Sequence, residues 1–257
     1  MADITRAPRL YVAPDLSIGA DVPATEGQAH YLLHVMRRRS GDTVVLFNGR
    51  DGAWAATVEP RGKRSAAFLV TSQLRPQSAS PEVTLFFAPI KAARLETLIE
   101  KATELGVTAL MPVITQHTVV SRVNTARLTA IVIEAAEQCE RITVPQIAEA
   151  ATLEAIAEWQ RAHPDVPVFV LDEAAARGGG GATPLPIALS RSKGPAAFVV
   201  GPEGGFSADE RARLGALATT AVTLGPRILR AETAGIAVLA CWQAFCGDWH
   251  GDPPRDQ

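Results

Sequence analysis

Apolar and polar residues alternate in short runs along the first 75 residues, and this pattern predicts β-strands. The runs are RLYV, DTVVLF, AWAATVE and AAFLVTSQL, with the turn sequence NGRDG between the second and the third. Asn-Gly and Asp-Gly turns between alternating runs are typical of β-hairpins. The stretch HYLLHVMRR predicts one short helix. We therefore expect a small β-barrel or sandwich.

The pattern changes after the polar segment RPQSASPE at residues 75–82, which predicts a linker because it carries two prolines. We place a domain boundary there, giving domains at residues 1–75 and 76–257. Beyond it, the strand patterns VTLFFAPI, TALMPVI, VPVFVLDE, AAFVV and TTAVTL are interspersed with helical ones, and a long helix begins near residue 231. Such alternation predicts an α/β domain with a mainly parallel sheet and helices on both faces.

Composition narrows the class of protein. The chain has 257 residues and is 47% hydrophobic, enough for one large or two modest domains. Its three cysteines lack CxxC or Cys/His spacing, so neither a disulfide framework nor a zinc site is indicated. The start MADITRAPRL has no apolar signal core, and Arg230 and Glu232 interrupt the most apolar late stretch. We expect a cytoplasmic protein without a membrane span.

Charge is unevenly distributed along the chain. The net charge is −2, which argues against coating nucleic acid by bulk electrostatics. Residues 1–80, however, carry 10 Lys and Arg against 7 Asp and Glu, and residues 81–257 carry 15 against 20. The basic residues of the first part include the run Arg37, Arg38 and Arg39. This run is either an RNA-binding feature or a solvated face.

The sequence FVVGPEGGFSADE, residues 198–210, predicts a strand, a glycine turn and a helix. Ser207 and Glu210 have the spacing of a capping box. Ligands of open parallel sheets bind at the carboxyl ends of strands, which is where this turn falls. It matches neither phosphate-loop pattern and carries the carboxylate Glu203. The alternatives are a binding loop for something other than a polyphosphate, or a tight connection.

A second unusual loop, LGPRILRAETA at residues 224–234, follows the last predicted strand. Gly225 and Pro226 turn the chain, and Ile228 and Leu229 are apolar within the turn. Such a segment offers backbone hydrogen bonds and an apolar wall, as a flat heterocycle such as adenine requires. Alternatively, the two apolar residues belong to the core and the flanking arginines are solvated.

These two loops, together with KAARLETLIEKATELGV and EAAEQCERITVPQI in this order, closely resemble the RsmE family over nearly the whole chain. The resemblance implies a SPOUT-class methyltransferase that uses S-adenosylmethionine to methylate N3 of one uridine in bacterial 16S ribosomal RNA. It also implies a PUA-like N-terminal β-barrel, a C-terminal α/β domain with a deep trefoil knot, and a homodimer. The partner that the resemblance implies for the protein is 16S ribosomal RNA or the small ribosomal subunit. It implies neither a metal nor a membrane.

The resemblance also assigns roles to individual residues. Three knot loops would hold the cofactor, through Leu171, Gly201, Glu203, Gly204, Gly205, Leu224, Gly225, Ile228 and Leu229. Arg230 is the catalytic candidate, because a cation stabilises the uridine anion that forms when N3 loses its proton. Glu232 is either a general base or a carboxylate at a helix N-terminus.

RNA contacts are expected on both domains. The resemblance places Arg9, His30, His34, Arg37 and Asn48 of the first domain near RNA. Lys91, Arg94 and Lys101 flank or belong to the first helix of the second domain, and they are either RNA contacts or solvated surface. His30 and His34 lie four residues apart, but no third metal ligand accompanies them.

Two other functions remain open at this stage. One is a non-catalytic RNA-binding or ribosome-assembly factor that keeps the same fold. The other is a nucleotide-dependent dehydrogenase or kinase with an added β domain, which the missing phosphate-loop patterns disfavour.

Overall fold

The computed structural model describes residues 4–62, 64–120, 122–172 and 181–250. These residues form two compact units. Unit 1 contains residues 4–79 together with residues 136–144, and unit 2 contains residues 80–135 and 145–250. The boundary predicted after residue 75 lies close to the end of the first segment of unit 1. The second segment of unit 1, from the middle of the chain, was not predicted.

Unit 1 is built on a five-stranded sheet. Its elements are a 3-10 turn at Ile4–Arg6, β1 at Arg9–Tyr11, β2 at Asp21–Pro23, α1 at Glu26–His30, a π-helical turn at Tyr31–Val35, β3 at Thr43–Phe47, β4 at Ala53–Pro60 and β5 at Ala66–Arg75. The strand order is β1-β3-β4-β5-β2. Strand β1 runs parallel to β3, and the other neighbours are antiparallel. The predicted hairpin is confirmed, because β3 pairs with β4 across residues 48–52.

Strand β3 is buried on both faces. Val44 and Leu46 belong to an apolar cluster with α1, β4 and β5. Val45 and Phe47 point the other way, because side chains alternate along a strand, and they pack in a cluster with Ala136 and Ile142. This second cluster explains why residues 136–144 belong to unit 1.

Unit 2 contains an eight-stranded sheet flanked by helices. Its elements are β6 at Val83–Phe87, α2 at Ala92–Glu104, β7 at Ala109–Ile114, α3 at Thr125–Gln138, β8 at Gln146–Ile147, β9 at Ala151–Thr152, α4 at Glu154–Ala162, β10 at Val168–Leu171, β11 at Thr183–Pro184, α5 at Leu185–Ser190, β12 at Ala196–Val200, α6 at Ala208–Gly215, β13 at Thr219–Thr223 and α7 at Ala231–Phe245. The last residues of α3 belong to unit 1. The order is β11-β13-β10-β12-β6-β7-β8, with β9 also paired to β7.

The described strand pairs of this sheet are all parallel, as predicted. Strand β12 lies between β10 and β6, and its five residues AAFVV are all buried. A continuous apolar run is typical of a parallel strand covered on both faces. The carboxyl ends of β10, β12 and β13 therefore lie side by side at one edge of the sheet.

Helix α7 follows β13 and packs back against β12 and α2. Its buried face includes Val238, Leu239 and Trp242, and the Trp242 Nε1 donates a hydrogen bond of 3.2 Å to the carbonyl of Gly194. Among the described residues, no helix is both long and apolar enough to cross a membrane.

Candidate active site

The carboxyl end of β10 and the loops that follow β12 and β13 line one cavity of about 650 Å³. All nine predicted cofactor-binding residues line it, namely Leu171, Gly201, Glu203, Gly204, Gly205, Leu224, Gly225, Ile228 and Leu229, and so does Arg230. The volume lies in the range of about 300–1,000 Å³ that is usual for small-molecule sites. The structure thus brings the predicted residues together, and their role in binding remains a prediction.

The glycine loop, which we define as residues 201–205, joins β12 to α6. The predicted capping box is confirmed, since the Ser207 hydroxyl accepts from the Glu210 N–H at 3.3 Å and the Glu210 carboxylate accepts from the Ser207 N–H at 2.9 Å. Gly205 has a φ of +66°, a left-handed conformation that side-chain-bearing residues rarely adopt. A Cβ at Gly204 would lie 2.9 Å from the Cβ of His117. Two of the glycines are therefore required by the fold of the loop itself.

The loop at residues 224–230 supplies the apolar wall of the cavity. Ile228 lines the cavity with 65% of its surface exposed. The alternative that Ile228 is a core residue is therefore wrong. Arg230 is exposed and occupies the N-cap position of α7, without a side-chain capping bond.

Glu203 in the glycine loop is held by an arginine from α2. The Arg94 Nη1 lies 3.3 Å from Glu203 Oε1, and the Arg94 Nε lies 3.7 Å from Glu232 Oε1. The Glu232 side chain is only 13% exposed, and its Oε2 is buried with no hydrogen-bond partner among the described residues. Arg94 was predicted to contact RNA, but here it links the glycine loop to the first turn of α7.

The other candidate RNA-binding residues of unit 2 are more exposed. Lys91 is exposed at the N-cap of α2. Lys101 lies 2.7 Å from Glu100 and 2.8 Å from Glu104, and these hydrogen bonds raise the pKa of its ammonium group. Because two carboxylates surround Lys101, its net contribution to a basic surface is small.

Three predicted RNA-binding residues of unit 1 lie on α1 and just after it. His30, His34 and Arg37 are exposed. The imidazole centroids of His30 and His34 are 5.3 Å apart, and both residues line a surface depression with Glu26 and Arg64. Arg37 adopts a φ of +55°, which is unusual for a residue with a side chain. All three residues thus lie at the surface of unit 1.

Asn48 and Arg9 are corrections to the predicted RNA-binding set. Asn48 is only 3% exposed, and its amide donates to the Pro14 carbonyl at 3.1 Å and to Asp51 at 2.6 Å. Its side-chain carbonyl accepts the N–H groups of Arg50 and Asp51. The Arg9 side chain is 9% exposed and forms an ion pair of 3.1 Å with Glu140. Both residues stabilise unit 1 instead of presenting polar groups to a ligand.

The carboxylate at the centre of this hairpin loop is Asp51. It accepts the Leu16 N–H at 2.8 Å, and this hydrogen bond, followed by that from the Asn48 amide, lowers the pKa of the Asp51 carboxyl. Acceptance of several hydrogen bonds favours the charged form of a carboxylate. Asn48 and Asp51 of NGRDG thus stabilise the hairpin loop through these hydrogen bonds.

Sequence reasoning missed the role of the segment EQCERITVP. Glu137 accepts the Tyr11 N–H at 2.8 Å, the Glu140 carbonyl accepts a hydrogen bond from Arg75 at 3.2 Å, and Ile142 is buried beside β3. These contacts therefore hold residues 136–144 against the rest of unit 1. The apolar position at Ile142, after the end of a helix, is the one signal in the sequence that pointed to such a contact.

Sequence reasoning also missed His117, which had no interpretable pattern around it. Its Nδ1 lies 3.0 Å from the carbonyl oxygens of both Gly204 and Gly205. In the described part of the chain, no three His, Cys, Asp or Glu side chains are grouped to hold a metal ion.

Comparisons with known proteins agree with this architecture. Residues 77–243 match the RNA methyltransferase domain family, and residues 24–70 match the RNA methyltransferase PUA domain. The chain is 34% identical to the ribosomal RNA small subunit methyltransferase E of Rickettsia conorii over 90% of this chain and 93% of that protein. It is 35% identical to the protein of the same name from Synechocystis, over 90% of this chain and 76% of that one.

Two solved structures have the same fold. One is the Neisseria gonorrhoeae ribosomal RNA small subunit methyltransferase E bound to S-adenosylmethionine, with 31% identity, a TM-score of 0.77, and coverage of 95% of this chain and 100% of that one. The other is a Legionella pneumophila methyltransferase with bound S-adenosylmethionine, with 27% identity, a TM-score of 0.81, and coverage of 95% and 99%. The chain, with its PUA-like unit and its parallel-sheet unit, belongs to the ribosomal RNA small subunit methyltransferase E family.

Proposed function

We propose that this protein transfers the methyl group of S-adenosylmethionine to N3 of one uridine in 16S ribosomal RNA. The single observation that carries the proposal is the cavity, where the three loops at the carboxyl ends of β10, β12 and β13 meet around an apolar wall and a carboxylate. The family to which the chain belongs supports the reaction class. The choice of uridine N3 rests on the resemblance alone.

The residues of the cavity fit S-adenosylmethionine. The cofactor, when bound, supplies an electrophilic methyl carbon next to a sulfonium and carries a flat adenine and an ammonium group. Ile228 and Leu229 offer an apolar surface for the adenine, and the loop backbone offers hydrogen bonds. The lining carries two carboxylates, Glu203 and Asp172, which can pair with the ammonium and sulfonium charges of the cofactor. It also carries three arginines, at positions 211, 227 and 230.

We assign to Arg230 the stabilisation of the uridine anion during methyl transfer. Uridine N3 attacks as an anion after losing its proton, and a guanidinium beside it stabilises that charge. Arg230 lines the cavity and is exposed, so an RNA base at the cavity mouth is within its reach. Glu232 is outside the set of lining residues and faces Arg94. We therefore assign Glu232 to positioning Arg94 and not to proton transfer.

The proposal includes two features of architecture that the resemblance implies. The first is a trefoil knot formed by the three cavity loops, which rests on the resemblance alone. The second is a homodimer, in which an arginine or a lysine of one subunit serves the cofactor of the other.

The proposed activity is tested by incubating the protein with methyl-labelled S-adenosylmethionine and small-subunit particles that lack the modification. We expect label in 16S ribosomal RNA, and none when the particles are omitted. Binding of both ligands without transfer would support the alternative function of a non-catalytic RNA-binding factor.

Unit 1 is proposed to hold the RNA through phosphates, with His30, His34 and the run Arg37–Arg38–Arg39 on its contacting surface. Neutralising the three arginines together to glutamine is expected to weaken RNA binding for all sequences. Each lost phosphate contact lowers the slope of log affinity against log salt by at most about one unit. The measurement is RNA affinity at several salt concentrations, with S-adenosylmethionine affinity as the control. An unchanged slope would make this cluster a solvated face.

A further inference from the structure

A rigid turn lies next to the glycine loop, at residues Thr115–Thr118 directly after β7, and we name it the TQHT turn. The Thr115 N–H donates to the Thr118 hydroxyl at 2.9 Å, and the two hydroxyls lie 2.8 Å apart. The Thr118 N–H donates back to the Thr115 carbonyl at 3.0 Å. Thr115 is also buried. The turn is therefore held by hydrogen bonds between its own residues.

The first contact from this turn to the loop after β12 runs through Glu210. The Gln116 N–H donates to Glu210 Oε1 at 2.7 Å, while Oε2 of the same carboxylate accepts the Ser207 N–H. Glu210 is only 7% exposed. One buried carboxylate therefore joins the TQHT turn to the start of α6, immediately after the glycine loop.

The second contact is made by His117. Its Nδ1 lies 3.0 Å from the carbonyl oxygens of Gly204 and Gly205, and carbonyl oxygens only accept hydrogen bonds. Nδ1 must therefore carry a proton, which in the neutral ring leaves Nε2 as the acceptor. The close packing of His117 against Gly204 leaves no room for a Cβ there, since it would lie 2.9 Å from the His117 Cβ.

We propose that His117 is a positioning residue, which holds the Gly204 and Gly205 carbonyls through Nδ1–H and thereby fixes the glycine loop in its cofactor-binding conformation. The inference rests on the proposed function, in that the loop is taken to bind S-adenosylmethionine. It deepens that function by assigning a role to a side chain outside the cavity lining. Its effect is expected on cofactor affinity and not on RNA affinity, because the contact is made to the cofactor loop alone.

Three substitutions at His117 distinguish the effect of losing the Nδ1–H hydrogen bond from the effect of changing the side chain. In His117→Asn the amide nitrogen takes the place of Nδ1, in His117→Gln it takes the place of Nε2, and in His117→Ala there is no donor. We expect the Kd and KM for S-adenosylmethionine to rise about three- to tenfold in the alanine and glutamine variants, the range for one lost hydrogen bond. The asparagine variant should have a Kd and a KM for S-adenosylmethionine close to those of the protein without substitutions. The KM for RNA should not change in any of the three, and kcat should change less than KM.

The tautomer gives an independent readout. In the ¹⁵N spectrum of the full chain, the His117 ring is assigned by its loss in the asparagine variant. In its neutral form it should show a protonated Nδ1 and an unprotonated Nε2. A ring found mainly as the Nε2–H tautomer would overturn the contact. This measurement requires no bound cofactor.

The outcomes distinguish this inference from the function on which it rests. If the unmodified protein does not bind S-adenosylmethionine in calorimetry, the proposed function fails and the inference fails with it. If the unmodified protein binds the cofactor and all three variants bind it equally well, only the role of His117 is overturned. Equal weakening in the asparagine, glutamine and alanine variants would also overturn it, because the effect would then not depend on the Nδ1 position.

Discussion

Replacing Arg230 by alanine is expected to slow methyl transfer by about 100- to 1,000-fold, the range found when one preorganised donor to a developing charge is removed. The uridine anion exists only near the transition state, so the loss should appear in the chemical step. S-adenosylmethionine and RNA affinity should remain within about threefold of the unmodified protein, because ground-state binding does not require this charge. The measurement is single-turnover methylation at saturating concentrations of both ligands.

Two further variants make this result specific. Arg230→Lys keeps the positive charge and should retain part of the rate. Arg191→Ala removes an exposed arginine that does not line the cavity, and it should leave the rate unchanged. If Arg230→Ala instead loses RNA binding and keeps its single-turnover rate, Arg230 is an RNA contact and another group stabilises the anion.

Replacing Gly205 by valine is expected to raise the Kd for S-adenosylmethionine at least about tenfold. The φ of +66° at this residue costs a side-chain-bearing residue about 1–2 kcal/mol. The space beside a Cβ here is open to 4 Å, and Gly205 lines the cavity, so the added side chain would occupy room that the ligand needs. Calorimetric titration with S-adenosylmethionine measures the effect, and circular dichroism checks that the variant folds.

Gly194→Val is the matched control for backbone strain. Gly194 has a φ of +87° and open space beside its Cβ, and it does not line the cavity. Both variants should lose similar stability, but only Gly205→Val should lose cofactor affinity. If Gly205→Val folds and binds S-adenosylmethionine normally, the glycine loop is a tight connection and not a binding element.

The long elements of the fold were predictable because their patterns are local. The buried run AAFVV and the Ser207–Glu210 capping box contain the information for β12 and the start of α6 within a few residues. The strands β8, β9 and β11 have two residues each, too few for any periodicity. Where they form is decided by the neighbouring strand and not by their own sequence.

The candidate site was predictable only in part, for a similar reason. The cavity loops were marked by their position after parallel strands and by the apolar residues Ile228 and Leu229 within a turn. The role of His117 depends on a contact across 87 residues to Gly204, and that of Asn48 on a contact to Pro14, 34 residues away. A single sequence gives no signal for such pairs, so a histidine in a loop could not be assigned from its surroundings. For Asn48 the local contacts to Arg50 and Asp51 were readable from the turn sequence, but the contact to Pro14 that buries it was not.

The central claim is that the methyl group is added to N3 of a uridine. The measurement that tests it most directly is chromatography and mass spectrometry of the nucleosides from 16S ribosomal RNA, run against 3-methyluridine and 5-methyluridine standards because these isomers have the same mass. Small-subunit particles lacking the modification first react with the protein and methyl-labelled S-adenosylmethionine. The account predicts label in 3-methyluridine at one position. Label in any other nucleoside, or in the ribose, would contradict it.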